Sequence, residues 1–151
     1  VVGELLTQKG LTLATMESCT GGLLANYITD VPGSSRYFKG GAVAYTNEMK
    51  VALGVPRELI EEHGAVSPQV AEAMARAARE RLGGDVGVGI TGVAGPGEME
   101  GKPRGTVHIG ILAGDQAATF SYRYGFPRPQ VKRWAALGAM FQLRRILLAL
   151  P

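Results

Sequence analysis

The stretch LTLATMESCTGG at residues 11–22 decides the fold class of this chain. Leu11 to Met16 form a short apolar and β-branched run, which is typical of a strand. Glu17 to Gly22 then make a turn of small residues, and the residues that follow, to about Asp30, have the spacing of a helix. A strand followed by a tight turn and a helix is the unit from which helix-covered sheets are built.

The same kinds of signal predict the other elements. Helical spacing and cap residues predict helices over Val1 to Lys9, Thr46 to Leu53, Pro56 to His63, Pro68 to Leu82 and Arg128 to Leu150. Strand patterns cover Tyr37 to Tyr45, Asp85 to Thr91, Thr106 to Ala113 and Ala117 to Tyr124, the last two forming a hairpin. We therefore expect an α/β fold with a mixed five-stranded sheet sandwiched between helices, and function at loops leaving the carboxyl ends of parallel strands.

The size and composition indicate one globular domain over residues 1–151, since 46% of its 151 residues are hydrophobic. No apolar run approaches the roughly 18 residues that span a membrane, and no signal peptide opens the chain, so the cytoplasm is the expected location. Cys19 is the only cysteine, which excludes an internal disulfide and a multi-cysteine metal site. The sequence starts at Val1 within a helical pattern, and both a stand-alone protein and a domain of a longer one stay open.

The charges are unevenly distributed along the chain. Residues 1–100 carry 8 Lys/Arg against 12 Asp/Glu, whereas residues 101–151 carry 8 against 1. Nucleic-acid binding is one interpretation of this basic final third, but the charges are scattered among apolar residues and no DNA-reading motif accompanies them. The pattern favours local binding of a small molecule that bears a phosphate.

The first candidate loop is Glu17 to Gly22, where Ser18 lies at a strand-to-helix turn. Thr20, Gly21 and Gly22 would place unpaired amides of a helix N-terminus nearby, an arrangement that can hold an oxyanion. A serine needs a base to become a nucleophile at neutral pH. The alternative is that Ser18 only caps the helix.

The second candidate loop follows the predicted second strand and contains Tyr45 and Lys50. A lysine can act as the base if burial or a neighbouring cation removes its charge, and a tyrosine can relay the proton. The alternative is a solvated lysine on a helix surface.

The third candidate loop runs from Thr91 to Gly97, where glycine amides could cradle a phosphate or a carboxamide. It matches neither the phosphate-binding loop of nucleotide triphosphatases nor a dinucleotide fingerprint, so a simple tight loop is the alternative. His63 and His108 are expected to be structural, and because no acidic residues stand at ligand spacing from them, we expect no metal ion.

Five ordered motifs, taken together, resemble one family along nearly the whole chain. They are Glu17 to Gly22, Ala44 to Asn47 with Lys50, Gly64 to Ser67, Ile90 to Pro96, and Lys102 to Val107. The resemblance is to the CinA C-terminal domain, also known as nicotinamide-nucleotide amidohydrolase. It implies a three-layer α/β/α sandwich with a mostly parallel sheet, and hydrolysis of nicotinamide mononucleotide to nicotinate mononucleotide and ammonia in pyridine-nucleotide salvage, without metal or cofactor.

The resemblance also implies roles for individual residues. Ser18 would attack the carboxamide carbon while Lys50, assisted by Tyr45, takes the serine proton and returns one to ammonia. An acyl-enzyme would then be hydrolysed by water. Arg128 or Lys132 could approach the phosphate. The residues implied to hold the oxyanion or the substrate are Thr20, Gly21, Gly22, Asn47, Thr91, Gly92, Ala94, Gly95 and Arg128.

Two other function classes stay open at this point. One is a non-catalytic nucleotide-binding module, against which the joint presence of Ser18, Tyr45 and Lys50 argues. The other is a competence-associated or DNA-damage-associated interaction domain, for which the chain offers only its basic final third. Full-length CinA proteins carry an additional N-terminal domain, a companion that is absent here, and the glycine-rich and alanine-rich helices would permit a homo-oligomer.

Overall fold

The computed structural model describes residues 1–151 and contains all the predicted strands and helices. The strands are β1 (Leu13–Glu17), β2 (Phe38–Val43), β3 (Val86–Gly92), β4 (Thr106–Ala113) and β5 (Gln116–Arg123). The helices are α1 (Val2–Lys9), α2 (Leu23–Thr29), α3 (Asn47–Ala52), α4 (Arg57–His63), α5 (Pro68–Leu82) and α6 (Arg128–Ala149). A short 3₁₀ turn at Ser34–Arg36, which the sequence pattern did not indicate, precedes β2.

Two boundaries near the candidate site differ from the prediction. The helix α2 begins only at Leu23, because Gly21 and Gly22 have φ values of 63° and 102°, which lie outside the helical region. The strand β2 ends at Val43, so Tyr45 lies in the connection to α3 and not within a strand. In both cases the chain between two regular elements is longer than predicted.

The sheet confirms the expected mixed, mostly parallel arrangement. Its strand order is β2-β1-β3-β4-β5, with β1 parallel to both β2 and β3, and with antiparallel pairing of β3 to β4 and of β4 to β5. It follows that β4 alone runs against the direction of the other four strands. The helix α5 covers one face of the sheet, and α1, α2 and α6 pack together on the other. None of the helices is long and apolar enough to cross a membrane.

Glycines in the central strands let α5 lie directly on the sheet. A β-carbon added at Gly87, Gly89 or Gly110 would lie no more than 2.5 Å from a carbonyl oxygen of α5. This close approach explains why β3 alternates glycine with valine and isoleucine. The parallel strands β1, β2 and β3 end at the same edge of the sheet, so the three candidate loops meet there.

Candidate active site

The Ser18 turn is fixed by its neighbours on β3 and by a buried carboxylate. The Ser18 amide donates to the Ile90 carbonyl (2.9 Å), and Ser18 is only 7% exposed. The Glu17 carboxylate, also buried, accepts hydrogen bonds from Thr20 Oγ1 (2.6 Å) and from the amides of Leu24 (2.8 Å) and Ala25 (3.0 Å). Glu17 therefore caps α2, and the alternative in which Ser18 is the cap is wrong.

This cap changes which amides are free to hold an oxyanion. The Gly21 amide donates to the Ser18 carbonyl, whereas the amides of Cys19, Thr20 and Gly22 have no acceptor within the chain. Of these three residues only Cys19 lines the cavity beside Ser18. The expected donor set of Thr20, Gly21 and Gly22 is thus displaced from the cavity, because the two left-handed glycines turn the chain away before the helix starts.

Lys50 meets Ser18 from the first turns of α3. The Thr46 side chain caps this helix by accepting a hydrogen bond from the Met49 amide (3.2 Å), which sets the orientation of the residues that follow. Lys50 Nζ donates to Ser18 Oγ (2.9 Å) and to the Tyr45 carbonyl (3.1 Å), and the residue is 2% exposed. The alternative of a solvated surface lysine is therefore wrong.

Burial also changes the acidity of this lysine. Removal of the ammonium from water lowers the pKa of Lys50 below its ordinary value, and the electrostatic effects of Cys19 and Glu100 oppose this only in part. A larger fraction of the amine is therefore neutral near pH 7 than for a surface lysine. A neutral amine at 2.9 Å from a hydroxyl is positioned to accept its proton.

Tyr45 contacts the serine–lysine pair through its backbone carbonyl, whereas its side-chain hydroxyl was expected to assist Lys50. The carbonyl accepts from Lys50 Nζ and, at 3.4 Å, from Ser18 Oγ. Tyr45 is 55% exposed, and its hydroxyl accepts a hydrogen bond from Arg128 Nη2 (3.0 Å). A proton relay through the Tyr45 hydroxyl thus has no support in the geometry, because that hydroxyl faces Arg128.

The third loop closes the site from the side of β3. Thr91 is buried and its hydroxyl donates to the Ala65 carbonyl (2.8 Å), so this hydroxyl links β3 to the segment before α5. The Arg128 guanidinium donates to the Gly95 carbonyl as well as to Tyr45. The first turn of α6 therefore joins the second and third loops at the mouth of the site.

A cavity of about 220 Å³ lies between the three loops. Nine of the predicted residues line it: Ser18, Tyr45, Asn47, Lys50, Thr91, Gly92, Ala94, Gly95 and Arg128. Its other walls come partly from further residues of the predicted loops, Cys19, Val93 and Gly97, and partly from residues that were not predicted to contact a substrate: Ala65, Val66, Glu98 and Met99. The Gly64 to Ser67 motif was the available signal for Ala65 and Val66.

The charges around the cavity are mainly positive on the side of α6. Neither Arg128 nor Lys132 has a carboxylate within 4 Å, and Lys132 Nζ lies close to Gly21. Burial, followed by the charge of Glu17, raises the pKa of the Cys19 thiol to about 12, so this thiol stays protonated. The described side chains include no cluster of three or more His, Cys, Asp or Glu that could hold a metal ion.

A larger hollow of about 510 Å³ lies elsewhere, between α1 and the chain that follows α2. Its lining includes Glu4, Thr7, Arg36 and Tyr37 but no nucleophile paired with a base. Thr7 Oγ1 is hydrogen-bonded within its own helix, to Gly3. The smaller cavity at Ser18 is therefore the better candidate for chemistry.

The fold and this site together define a class, an α/β/α sandwich with a buried serine–lysine pair at the carboxyl edge of its parallel strands. Within that class, the chain belongs to the CinA C-terminal domain family, which it matches over residues 1–147.

Individual relatives agree with this assignment. A CinA-like protein from Frankia casuarinae is 49% identical, with 100% of this chain and 35% of that protein covered. A putative competence-damage inducible protein from Symbiobacterium thermophilum is 50% identical, with 97% of this chain and 37% of that protein covered. The chain thus spans little more than a third of the length of these curated relatives.

Solved structures share the fold over almost the whole chain. A competence-damaged protein (CinA) superfamily protein from Klebsiella pneumoniae superposes with a TM-score of 0.95 at 30% identity, covering 99% of this chain and 94% of that one. A competence/damage inducible protein from Agrobacterium tumefaciens gives a TM-score of 0.88 at 37% identity, covering 95% and 94%. Both describe the same α/β/α architecture.

Proposed function

We propose that this chain is an amidohydrolase that converts nicotinamide mononucleotide to nicotinate mononucleotide and ammonia, with Ser18 as nucleophile and Lys50 as general base. The observation that carries the proposal is the 2.9 Å hydrogen bond between Lys50 Nζ and Ser18 Oγ at a cavity wall, with the lysine buried and its pKa lowered. Membership of the CinA C-terminal domain family supports it.

In the first half of the reaction, Lys50 acts first as a base and then as an acid. Neutral Lys50 takes the hydroxyl proton as Ser18 Oγ attacks the carboxamide carbon, and the carbonyl oxygen becomes an oxyanion. Cys19 lines the cavity and its amide has no acceptor within the chain, so this amide is the proposed donor to the oxyanion. The Lys50 ammonium then protonates the departing nitrogen as the C–N bond breaks, which leaves an ester on Ser18.

In the second half of the reaction, Lys50 activates water for hydrolysis of the ester on Ser18. Neutral Lys50 takes a proton from water as the water oxygen attacks the ester carbon, and the proton returns to Ser18 Oγ when the C–O bond breaks. The Tyr45 carbonyl, 3.1 Å from Lys50 Nζ, keeps the amine directed at the serine throughout. The product, nicotinate mononucleotide, then leaves the site.

The dimensions and charges of the cavity support a nucleotide substrate. About 220 Å³ is less than the roughly 300–1,000 Å³ of pockets that enclose whole drug-sized ligands, so the cavity suits the ring and part of the ribose. Arg128 lines the cavity and Lys132 lies about one turn further along α6, and neither has a carboxylate partner. Their charge is therefore available to a phosphate.

The proposal is tested by incubating the purified chain with nicotinamide mononucleotide, nicotinamide riboside and free nicotinamide, in parallel. Ammonia and the matching acid are measured for each, with a chelator present and absent. We expect turnover of the mononucleotide, with a kcat/KM at least tenfold above that of the riboside. Tight binding of the mononucleotide without turnover would contradict the proposal and favour a binding module. Salt-dependent retention on DNA without turnover would favour the nucleic-acid alternative.

A further inference from the structure

A loop over residues 93–105 reaches from β3 across the cavity and is closed at its base. The Val93 amide donates to the Thr106 carbonyl (2.8 Å), and the Gly105 amide donates to the Val93 carbonyl (2.6 Å). At its tip, Met99 and Lys102 exchange two backbone hydrogen bonds of 3.0 and 2.8 Å, with Glu100 and Gly101 between them. The tip is therefore a defined turn whose orientation is fixed.

Glu100 occupies an unusual backbone conformation at this tip. Its φ is 55°, and it is the only non-glycine residue of the chain with a positive φ. A residue with a β-carbon is disfavoured in this left-handed region, where glycine, asparagine or aspartate would ordinarily stand. A glutamate held there points to a contact of its side chain that outweighs the backbone strain.

That contact is a two-way attachment to the segment before α5. Glu100 Oε2 accepts the Ala65 amide (2.8 Å), and Glu100 Oε1 accepts the Val66 amide (3.0 Å). Lys102 Nζ donates to the carbonyls of His63 (3.2 Å) and Val66, and to Glu100 Oε1 (3.2 Å). We call these contacts of Glu100 and Lys102 with residues 63–66 the clasp.

The clasp joins two walls of the candidate active site. Ala65 and Val66 form one wall of the cavity, and Gly97 to Met99, immediately before the clasp, form another. The Ala65 carbonyl also accepts the Thr91 hydroxyl, so the clasped segment is attached to β3 as well. We propose that Glu100 is a positioning residue, which holds these two walls at the separation that the substrate ring requires.

The charge state of Glu100 agrees with this role. Partial burial alone would raise the pKa of Glu100, but the hydrogen bonds from Val66, Ala65 and Lys102 outweigh it and bring the pKa below its ordinary value. Glu100 is thus ionised near pH 7, and its charge raises the pKa of Lys50 against the larger effect of burial. The other titratable or charged groups around the cavity are Cys19, which stays protonated, Glu98 and Arg128, which faces the Tyr45 hydroxyl, while Lys102 is paired with Glu100 itself.

The inference rests on the proposed function where it concerns the substrate, and its test uses Glu100→Gly. This change removes the carboxylate and at the same time relieves the backbone strain, so a residue that served only the turn would tolerate it. We expect KM for nicotinamide mononucleotide to rise at least tenfold, with a smaller loss in kcat. Because the negative charge near Lys50 is gone, the acidic limb of kcat/KM should move to lower pH. Glu62→Gln is the matched control, because it removes a negative charge from an exposed side chain beside the clasped segment, and it should leave KM unchanged.

A second measurement separates this inference from the proposed function. Amide exchange at Ala65 and Val66, and titration of the Lys50 amine, are followed by NMR in the parent chain and in Glu100→Gly. We expect faster exchange at both amides and a lower pKa of Lys50 in the variant. If the parent chain fails to hydrolyse the mononucleotide but these changes occur, the proposed function is wrong and the clasp is retained. A KM within twofold of the parent, or unchanged exchange and titration, would overturn the inference.

Discussion

Replacement of Lys50 by methionine separates the chemistry of the candidate site from its packing. Methionine has nearly the length of lysine and suits a position that is 2% exposed. The substitution removes two hydrogen bonds, to Ser18 and Tyr45, each worth about 0.5–1.5 kcal/mol net. It also removes the cost of burying an amine, so we expect the free energy of unfolding to change by no more than about 2 kcal/mol.

The expected effect on turnover is much larger. A positioned general base contributes about 10²–10⁴-fold, which corresponds to about 3–5 kcal/mol of transition-state stabilisation at 1.36 kcal/mol per decade. The kcat/KM of Lys50→Met for nicotinamide mononucleotide should fall by that factor, while the dissociation constant, measured by calorimetry, stays within a few fold. Lys39→Met, at an exposed position on β2, is the matched control and should retain full activity.

The dependence of kcat/KM on pH provides a second test with the same substitution. Only the neutral amine can accept the Ser18 proton, so kcat/KM of the parent should rise with pH and level off above the pKa of Lys50. Since burial lowers that pKa, the plateau should begin below the ordinary lysine range. Lys50→Met should lose this rise. Near-normal turnover in the variant would refute the assignment of Lys50 as base. The same conclusion would follow if the parent and the variant showed the same dependence of kcat/KM on pH.

Three further substitutions test the cap, the packing and the phosphate side of the site. Glu17→Ala leaves three donors without their acceptor and should lower the free energy of unfolding by about 3 kcal/mol or more, measured by denaturant titration. Gly89→Ala places a β-carbon against α5 and should cost about 1–3 kcal/mol, seen as a lower Tm, whereas Gly125→Ala, which has nothing within 4 Å, should not. Arg128→Ala should raise KM for the mononucleotide at least tenfold and leave KM for the riboside nearly unchanged; equal effects on both would assign Arg128 to loop support alone.

The position of the site could be predicted because it follows from strand order. Ser18 and Lys50 are 32 residues apart in sequence, yet the loops that carry them follow two neighbouring parallel strands and must emerge at one edge. The strand and helix patterns also gave the architecture, because the apolar periods and the turn residues agree along the whole chain.

Other features of the site depend on local conformation that the pattern does not contain. The carbonyl of Tyr45 faces the serine–lysine pair, since β2 ends two residues earlier, and this orientation reverses the expected use of the side chain. Glu17 resembles an ordinary strand-end carboxylate in sequence, and its capping role depends on the two left-handed glycines that delay α2. Glu100 contacts an amide 35 residues away, which no local pattern indicates.

The most direct test of the account is ammonia release from nicotinamide mononucleotide by the parent chain and by Ser18→Ala, measured side by side. Ser18 does not cap α2, but its hydroxyl accepts a hydrogen bond from Lys50, so the circular dichroism of the variant should match that of the parent and its Tm should fall by no more than a few degrees. The account predicts ammonia and nicotinate mononucleotide from the parent and none from the folded variant. Comparable release from both proteins would contradict a serine nucleophile at this site.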